Sequence, residues 1–107
     1  MTATSDLWAA LGDPTRLEVV NALLGAGPAT ASQLAAHLPV TRQAVGKHLR
    51  VLEAVGLVER RQDGRAVLFT IQEPVLEQAR LQMAGIAAEW DRRLSVLKEL
   101  AEAPRSE

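Results

Sequence analysis

Along the 107-residue chain, apolar positions recur first at helical spacing, then in strand-like runs, then at helical spacing again. Leu7, Trp8 and Leu11 fall on one side of a short helix that Gly12 ends. Asp13 is placed to cap a second helix whose first residue is Pro14, where the fixed φ and missing N–H of proline do no harm. Leu17, Val20, Leu23 and Leu24 give that helix its apolar side, and Gly25, Gly27 and Pro28 stop it near Ala26. Thr30-Ala-Ser-Gln33 reads as a capping box, hydroxyl and amide each satisfying an orphan backbone donor, and opens a short third helix reaching His37. Pro39 and Val40 make a turn, and Thr41 caps a fourth helix to about Val55, with Gly56 as its left-handed terminator. Val45, Leu49, Leu52 and Val55 line its inner side.

The period then changes. Leu57 to Arg61 and Ala66 to Ile71 read as two strands joined around Asp63-Gly64, a β-hairpin. Glu73-Pro74 opens a last helix that Pro104 closes, with Leu76, Ala79, Met83, Ala87, Trp90, Leu94, Leu97 and Ala101 at steps of three and four. Gly85 is a candidate break or close crossing, since mid-helix glycine costs about 1 kcal/mol relative to alanine. From Val75 to Ala103 this helix would extend about 40 Å, against roughly 35 Å for the diameter of a compact domain of this length. One protomer cannot cover it. Its stripe, namely Met83, Ala87, Trp90, Leu94 and Leu97, is therefore expected to join Leu7, Trp8 and Leu11 in a twofold homodimer interface.

The expected fold is mostly α with a small β-hairpin, a winged helix-turn-helix in one domain over residues 1–107. Residues 30–56 form the helix-turn-helix, 57–71 the wing, and 1–12 and 74–103 the dimerisation helices. Composition narrows the chemistry. There is no cysteine, which excludes disulfides, thiolate metal sites and a cysteine nucleophile, and the two histidines leave little for other metals or for catalysis. No carboxylate pair or glycine-rich phosphate loop suggests an enzyme, and no cofactor is expected. No apolar run approaches 18 residues and no basic-then-apolar leader opens the chain, so a cytoplasmic protein without membrane contact is expected.

The net charge of −1 conceals an uneven distribution. Residues 41–65 hold six of the twelve bases and three of the thirteen acids, which makes that segment +3 and the remainder −4. In a helix-turn-helix the first helix braces the second, whose outward side chains enter a major groove about 12 Å wide. On the fourth helix the residues outside the core are Arg42, Gln43, Gly46, Lys47 and Arg50. Arginine donates two hydrogen bonds to guanine, glutamine pairs with adenine and lysine neutralises phosphate. A solvated helix face is the ordinary meaning of a few charges. Against it stand the turn placement, the basic hairpin tip with Arg61 and Arg65, and the lack of acids between positions 41 and 50. The expected DNA-contacting set is Thr41, Arg42, Gln43, Gly46, Lys47, His48, Arg50, Arg60, Arg61 and Arg65.

Three blocks also resemble a known family. Ala10-Leu-Gly-Asp-Pro-Thr-Arg-Leu17, Thr41-Arg-Gln-Ala-Val-Gly-Lys-His-Leu-Arg-Val-Leu52 and Glu53-Ala-Val-Gly-Leu-Val58 are similar, in order and spacing, to the arsenical-resistance repressor (ArsR) family of bacterial winged-helix regulators. The resemblance implies a dimeric, operator-binding repressor with dimer contacts through the first and last helices. Two departures stand out. Gly46 occupies a position where family members often carry serine, removing a hydroxyl contact to DNA. Ala31 to Leu38 has no cysteine where the thiolate metal sensors place theirs, and the last helix has no histidine, so metal sensing is not expected. The block Glu89-Trp-Asp-Arg-Arg-Leu-Ser-Val-Leu97 resembles instead a non-metal subset often encoded beside small ligand-binding proteins. A small-molecule effector fits that resemblance, and the sequence identifies none.

Several single residues have two readings. His48 is either a phosphate or dimer-network donor or a half-buried packing residue, and His37 reads as a solvent-facing helix end. Trp8 and Trp90 could line an effector pocket, although helical spacing favours packing. Arg16 either reaches a phosphate or pairs locally with Asp13 or Glu18. The rival function is a winged-helix interaction module or dimeric co-regulator without DNA specificity of its own.

Overall fold

A computed structural model describes residues 3–104, with side chains from residue 6 onward. The element order is α1 (Ala3–Leu11), α2 (Pro14–Ala26), α3 (Ala31–Ala35), α4 (Arg42–Ala54), β1 (Val58–Asp63), β2 (Ala66–Ile71) and α5 (Glu73–Glu102). The chain divides into two compact units, the first ending at Leu76 and the second starting at Glu77.

In the first unit each helix starts where its cap predicts. Asp13 Oδ1 accepts from the Arg16 backbone N–H at 3.0 Å. Thr30 and Gln33 exchange both bonds of the capping box, at 2.9 and 3.1 Å. Thr41 Oγ1 accepts from the Ala44 N–H at 3.1 Å. These bonds satisfy donors that the first turn of a helix leaves unpaired. The helix ends are as specific. Gly56 takes φ 81° after α4, and the Leu57 N–H reaches back to the Leu52 carbonyl at 3.0 Å, which turns the chain sharply into β1.

The Asp13 cap carries a pH signature. The Arg16 backbone N–H holds its carboxyl below the ordinary value, outweighing the opposing effect of partial burial, and the Arg16 charge adds to the lowering. A carboxyl whose folded-state pKa is depressed stabilises the fold above its unfolded pKa of about 3.9 and loses that contribution as pH falls through the folded value. Asp13→Asn keeps a capping oxygen without the titration. It is expected to flatten the acid limb of stability below about pH 4, read by urea unfolding at pH 6 and pH 3, and an unchanged limb would exclude the assignment.

The core is assembled from Val19, Val20 and Leu23 of α2, Leu34 of α3, Val45, Leu49 and Leu52 of α4, Leu57 and Val58 at the entry to β1, and Phe69 of β2, all buried. Three expectations are corrected. Leu17 and Leu24, read as the inner side of α2, are 43% and 50% exposed, while Val19 is fully buried. Apolar residues occur all round α2, so spacing alone does not select its buried face. α3 ends at Ala35, not His37, because the His37 N–H turns back to the Leu34 carbonyl at 3.1 Å, an i→i−3 bond that closes the helix. The hairpin loop is Gly64-Arg65, one residue later than Asp63-Gly64, since Asp63 pairs with Ala66 in the ladder. Gly64, at φ 62°, supplies the left-handed backbone that the first loop position requires.

The two-stranded wing is antiparallel, with Val58 opposite Ile71, Arg60 opposite Phe69 and Gln62 opposite Val67 on one face. It is tied down at two places. Ala29, between α2 and α3, exchanges both backbone bonds with Phe69, at 3.1 and 2.8 Å. At the open end of the hairpin, the Gln72 N–H donates to the Leu57 carbonyl at 2.7 Å and its side-chain amide to Glu59 at 3.0 Å.

α5 is a single helix of 30 residues, about 45 Å long. Gly85 lies within it and does not interrupt it. Met83, Trp90, Leu94 and Leu97 are each more than half exposed, and Ala87 is exposed with them. Glu89 pairs with Arg92 and Arg93 on the same helix, and Glu77 with Arg80. On α1, Trp8 and Leu11 are half-buried. Leu7 is buried within the protomer.

Candidate nucleic-acid interface

The geometry of α4 follows from its two faces. Val45, Leu49 and Leu52 have no exposed surface, which fixes the helix in rotation, and the 3.6-residue period then turns Arg42, Gln43, Lys47 and Arg50 outward. All four are exposed, as is Thr41 at the cap. Gly46 sits among them, and a Cβ built there meets nothing within 4 Å. The protomer itself therefore does not require a glycine; its absence of side chain leaves backbone open on the outward face.

The second part of the surface is the wing. Arg61 and Arg65 are exposed and have no ion-pair partner among the described residues. Arg60 differs. On the strand face opposite to that of Arg61, its Nε and one terminal nitrogen donate to the two carboxylate oxygens of Glu53, both at 2.9 Å. Its guanidinium carbon lies 5.5 Å from the centre of the Phe69 ring. The hydrogen-bonded Glu53 carboxylate raises the Arg60 pKa above its already high ordinary value. Arg60 thus connects the wing to the end of α4 while its side chain stays about half exposed. A bidentate fork with an aromatic floor suits arginine and not lysine.

Two partnerships were not visible along the chain. Arg42 Nε donates to Ser32 Oγ at 2.7 Å, across ten residues, and Glu53, seven residues before Arg60, holds that arginine. Neither spacing has a periodic signature; only the fold brings them together. Arg16 takes the local reading: it donates to the Ala10 carbonyl at 3.0 Å and lies 4.0 Å from Asp13. His48 is half-buried, and its Nδ1 is buried with no hydrogen-bond partner among the described residues. His37 is exposed. Among the described residues no group of three potential ligands gathers at metal-binding distances, and no helix is long and apolar enough to cross a membrane.

A braced second helix with an outward basic face, followed by a two-stranded wing, defines a winged helix-turn-helix of the transcription-regulator class. A helix-turn-helix domain model matches residues 11–61. The chain is 33% identical over 96 residues to the HTH-type transcriptional regulator Rv2034 of Mycobacterium tuberculosis, covering 90% of this chain and 86% of that protein. To the HTH-type transcriptional regulator CmtR of the same organism it is 41% identical over 78 residues, 73% of this chain and 65% of that protein, so the match spans under two-thirds of that relative's length. Among solved structures, the ArsR-like transcriptional regulator from Rhodococcus sp. RHA1 superposes with a TM-score of 0.76 at 41% identity, covering 95% of each chain. The chain belongs to the ArsR family of winged-helix transcriptional regulators. These relatives are transcription regulators and not enzymes.

Proposed function

We propose that this chain is a homodimeric, sequence-specific repressor that binds an inverted-repeat operator. The observation that carries the reading is the outward face of α4, where Arg42, Gln43, Lys47 and Arg50 stand opposite three fully buried anchors. In this arrangement Arg42, Gln43, Lys47 and Arg50 enter the major groove, and Thr41 and the open backbone at Gly46 allow close approach of DNA. His48 borders the same surface. Arg61 and Arg65 hold backbone or minor-groove positions beside it. Arg60 acts by setting the wing against α4 through Glu53.

Twofold symmetry follows from the exposed stripe of α5, since a row of apolar residues of this length is covered most simply by its own copy. Two α4 helices would then read successive major grooves about 34 Å apart, and the operator would mirror the protein's symmetry. Occupancy of a promoter by such a dimer excludes RNA polymerase, which makes repression the simplest outcome. With no cysteine in the chain, thiolate metal sensing is not proposed; release is assigned to a non-metal effector that binds the DNA-competent and incompetent dimers unequally, or to the abundance of the protein itself.

The test is selection of bound sequences from a random DNA pool with the purified protein at two salt concentrations. A palindromic consensus is expected. With about eight phosphates neutralised per dimer, log affinity should fall against log salt with a slope near −7. A nearly flat salt response, or a pool that never enriches, would reject the reading in favour of a protein-interaction module.

A further inference from the structure

A cleft of about 480 Å³ lies between the end of α2 and α3, and no residue of α4 or of the wing lines it. The space exists because α2 faces it only with Ala22, Gly25 and Ala26, nothing larger than a methyl group. Its two buried lining residues, Ala29 and Leu34, make the floor. No acid, lysine or arginine borders it. The rim is polar. The Gly27 N–H is spent on the Leu23 carbonyl and Pro28 has no N–H to give, so the Gly25 and Ala26 carbonyls have no partner among the described residues. Gln33 uses its side-chain oxygen on the Thr30 N–H, which leaves its amide N–H groups without a partner among the described residues.

The volume lies within the range of small-ligand sites, whose usual make-up is an apolar wall with a few convergent polar groups. A partner helix would need anchors spread over two turns, and α3, only five residues long, is too short to supply such a groove. Carbonyls at a helix C-terminus carry partial negative charge, so they accept from an N–H or O–H and disfavour an anion. We propose that this cleft binds a small, neutral, mostly apolar ring compound with one N–H or O–H donor, and that such a compound is the effector of the regulator. The second half rests on the function proposed above. Ala29 exchanges both backbone bonds with Phe69 of the wing, and Gln33 completes the cap of α3, the helix that braces α4. An occupant therefore touches the joint between bracing helix and wing without covering the outward face of α4. It acts on DNA affinity through unequal fit to the DNA-competent and incompetent dimers.

Indole is the probe, and 1-methylindole is its counterpart without the donor. Each is titrated into the full chain, following alanine and leucine methyl resonances by two-dimensional NMR. Saturable shifts at Ala22, Ala26, Ala29 and Leu34 are expected, with those of Leu94 and Leu97 on α5 unmoved. 1-Methylindole should bind about fivefold more weakly, as the loss of one neutral hydrogen bond implies. Gly25→Leu fills the cleft from its wall: a Cβ there meets nothing within 4 Å, and leucine suits a helix better than glycine, so the fold is kept, as thermal unfolding checks. The dissociation constant of indole should rise at least about tenfold in that variant, the cost of overfilling an occupied space. Shifts that never saturate, that spread to α5, or that persist unchanged in Gly25→Leu would overturn the site, and equal affinity for the two probes would overturn its polar rim. A second arm measures operator affinity with saturating indole, where a fall of at least about fivefold is expected in the unmodified chain and none in Gly25→Leu. An operator affinity that indole does not move overturns the effector role. A chain that binds DNA and never seats indole overturns this proposal alone, whereas one that seats indole and binds no DNA overturns the regulator reading alone.

Discussion

Replacing Arg42 and Arg50 together by alanine is expected to abolish specific DNA binding while leaving the folded protein and its self-association unchanged. Each good bidentate base contact discriminates by about 1–3 kcal/mol, and a symmetric dimer loses every contact twice. At the low end of that range two arginines per protomer already correspond to a loss on the order of a thousandfold in affinity. The cost to the fold should be small, because both side chains are exposed and the hydrogen bond recorded for Arg42 is a surface contact to Ser32. Fluorescence anisotropy with the selected operator reads the first effect, and thermal unfolding reads the second. Retention of affinity within about tenfold would move recognition away from α4 and favour the interaction-module alternative.

Leu94→Asp is expected to have a comparable effect by a different route. Leu94 is 56% exposed on α5, one turn from Trp90 at 55%, so the protomer gives up little packing when it is replaced. In a paired stripe the new carboxylate would be buried without a partner, which costs several kcal/mol. The dimer dissociation constant should then rise by at least about a hundredfold, seen by analytical ultracentrifugation. Operator affinity should fall with it, since one protomer reads only a half-site. If the variant stays dimeric, α5 does not form the proposed interface. The two variants separate DNA contact from assembly: the first keeps the dimer and loses DNA, the second loses the dimer first.

Much of this architecture is legible in the residue order because local chemistry dictates it. Asp13, Thr30 and Thr41 each cap the helix they precede, and Gly56 and Gly64 each supply the left-handed residue that a helix end or a tight loop needs. The outward face of α4 is legible for the same reason, as Val45, Leu49 and Leu52 leave only one orientation for the basic residues. Where several apolar residues compete, the pattern fails. α2 carries Leu17, Val19, Val20, Leu23 and Leu24, and the tertiary fold buries the two valines and Leu23. The loop of the hairpin moved by one residue because Asp-Gly and Gly-Arg are both acceptable turn centres, and only strand pairing decides between them. Among the arginines, charge type alone did not distinguish Arg60 from Arg61. Strand alternation puts them on opposite faces, and the carboxylate that holds Arg60 comes from α4.

Two of the wing's anchors limit how such a protein could be switched. Phe69 is bonded through its backbone to Ala29 and covered by Arg60, which is itself clamped to Glu53. In the proposed regulator the hairpin and α4 would therefore move as one stiff unit, since slackening the wing by itself would mean breaking a forked ion pair and two main-chain bonds at once. An inducer would find less resistance in tilting or spreading two intact units, so that their spacing no longer keeps step with the turn of the double helix.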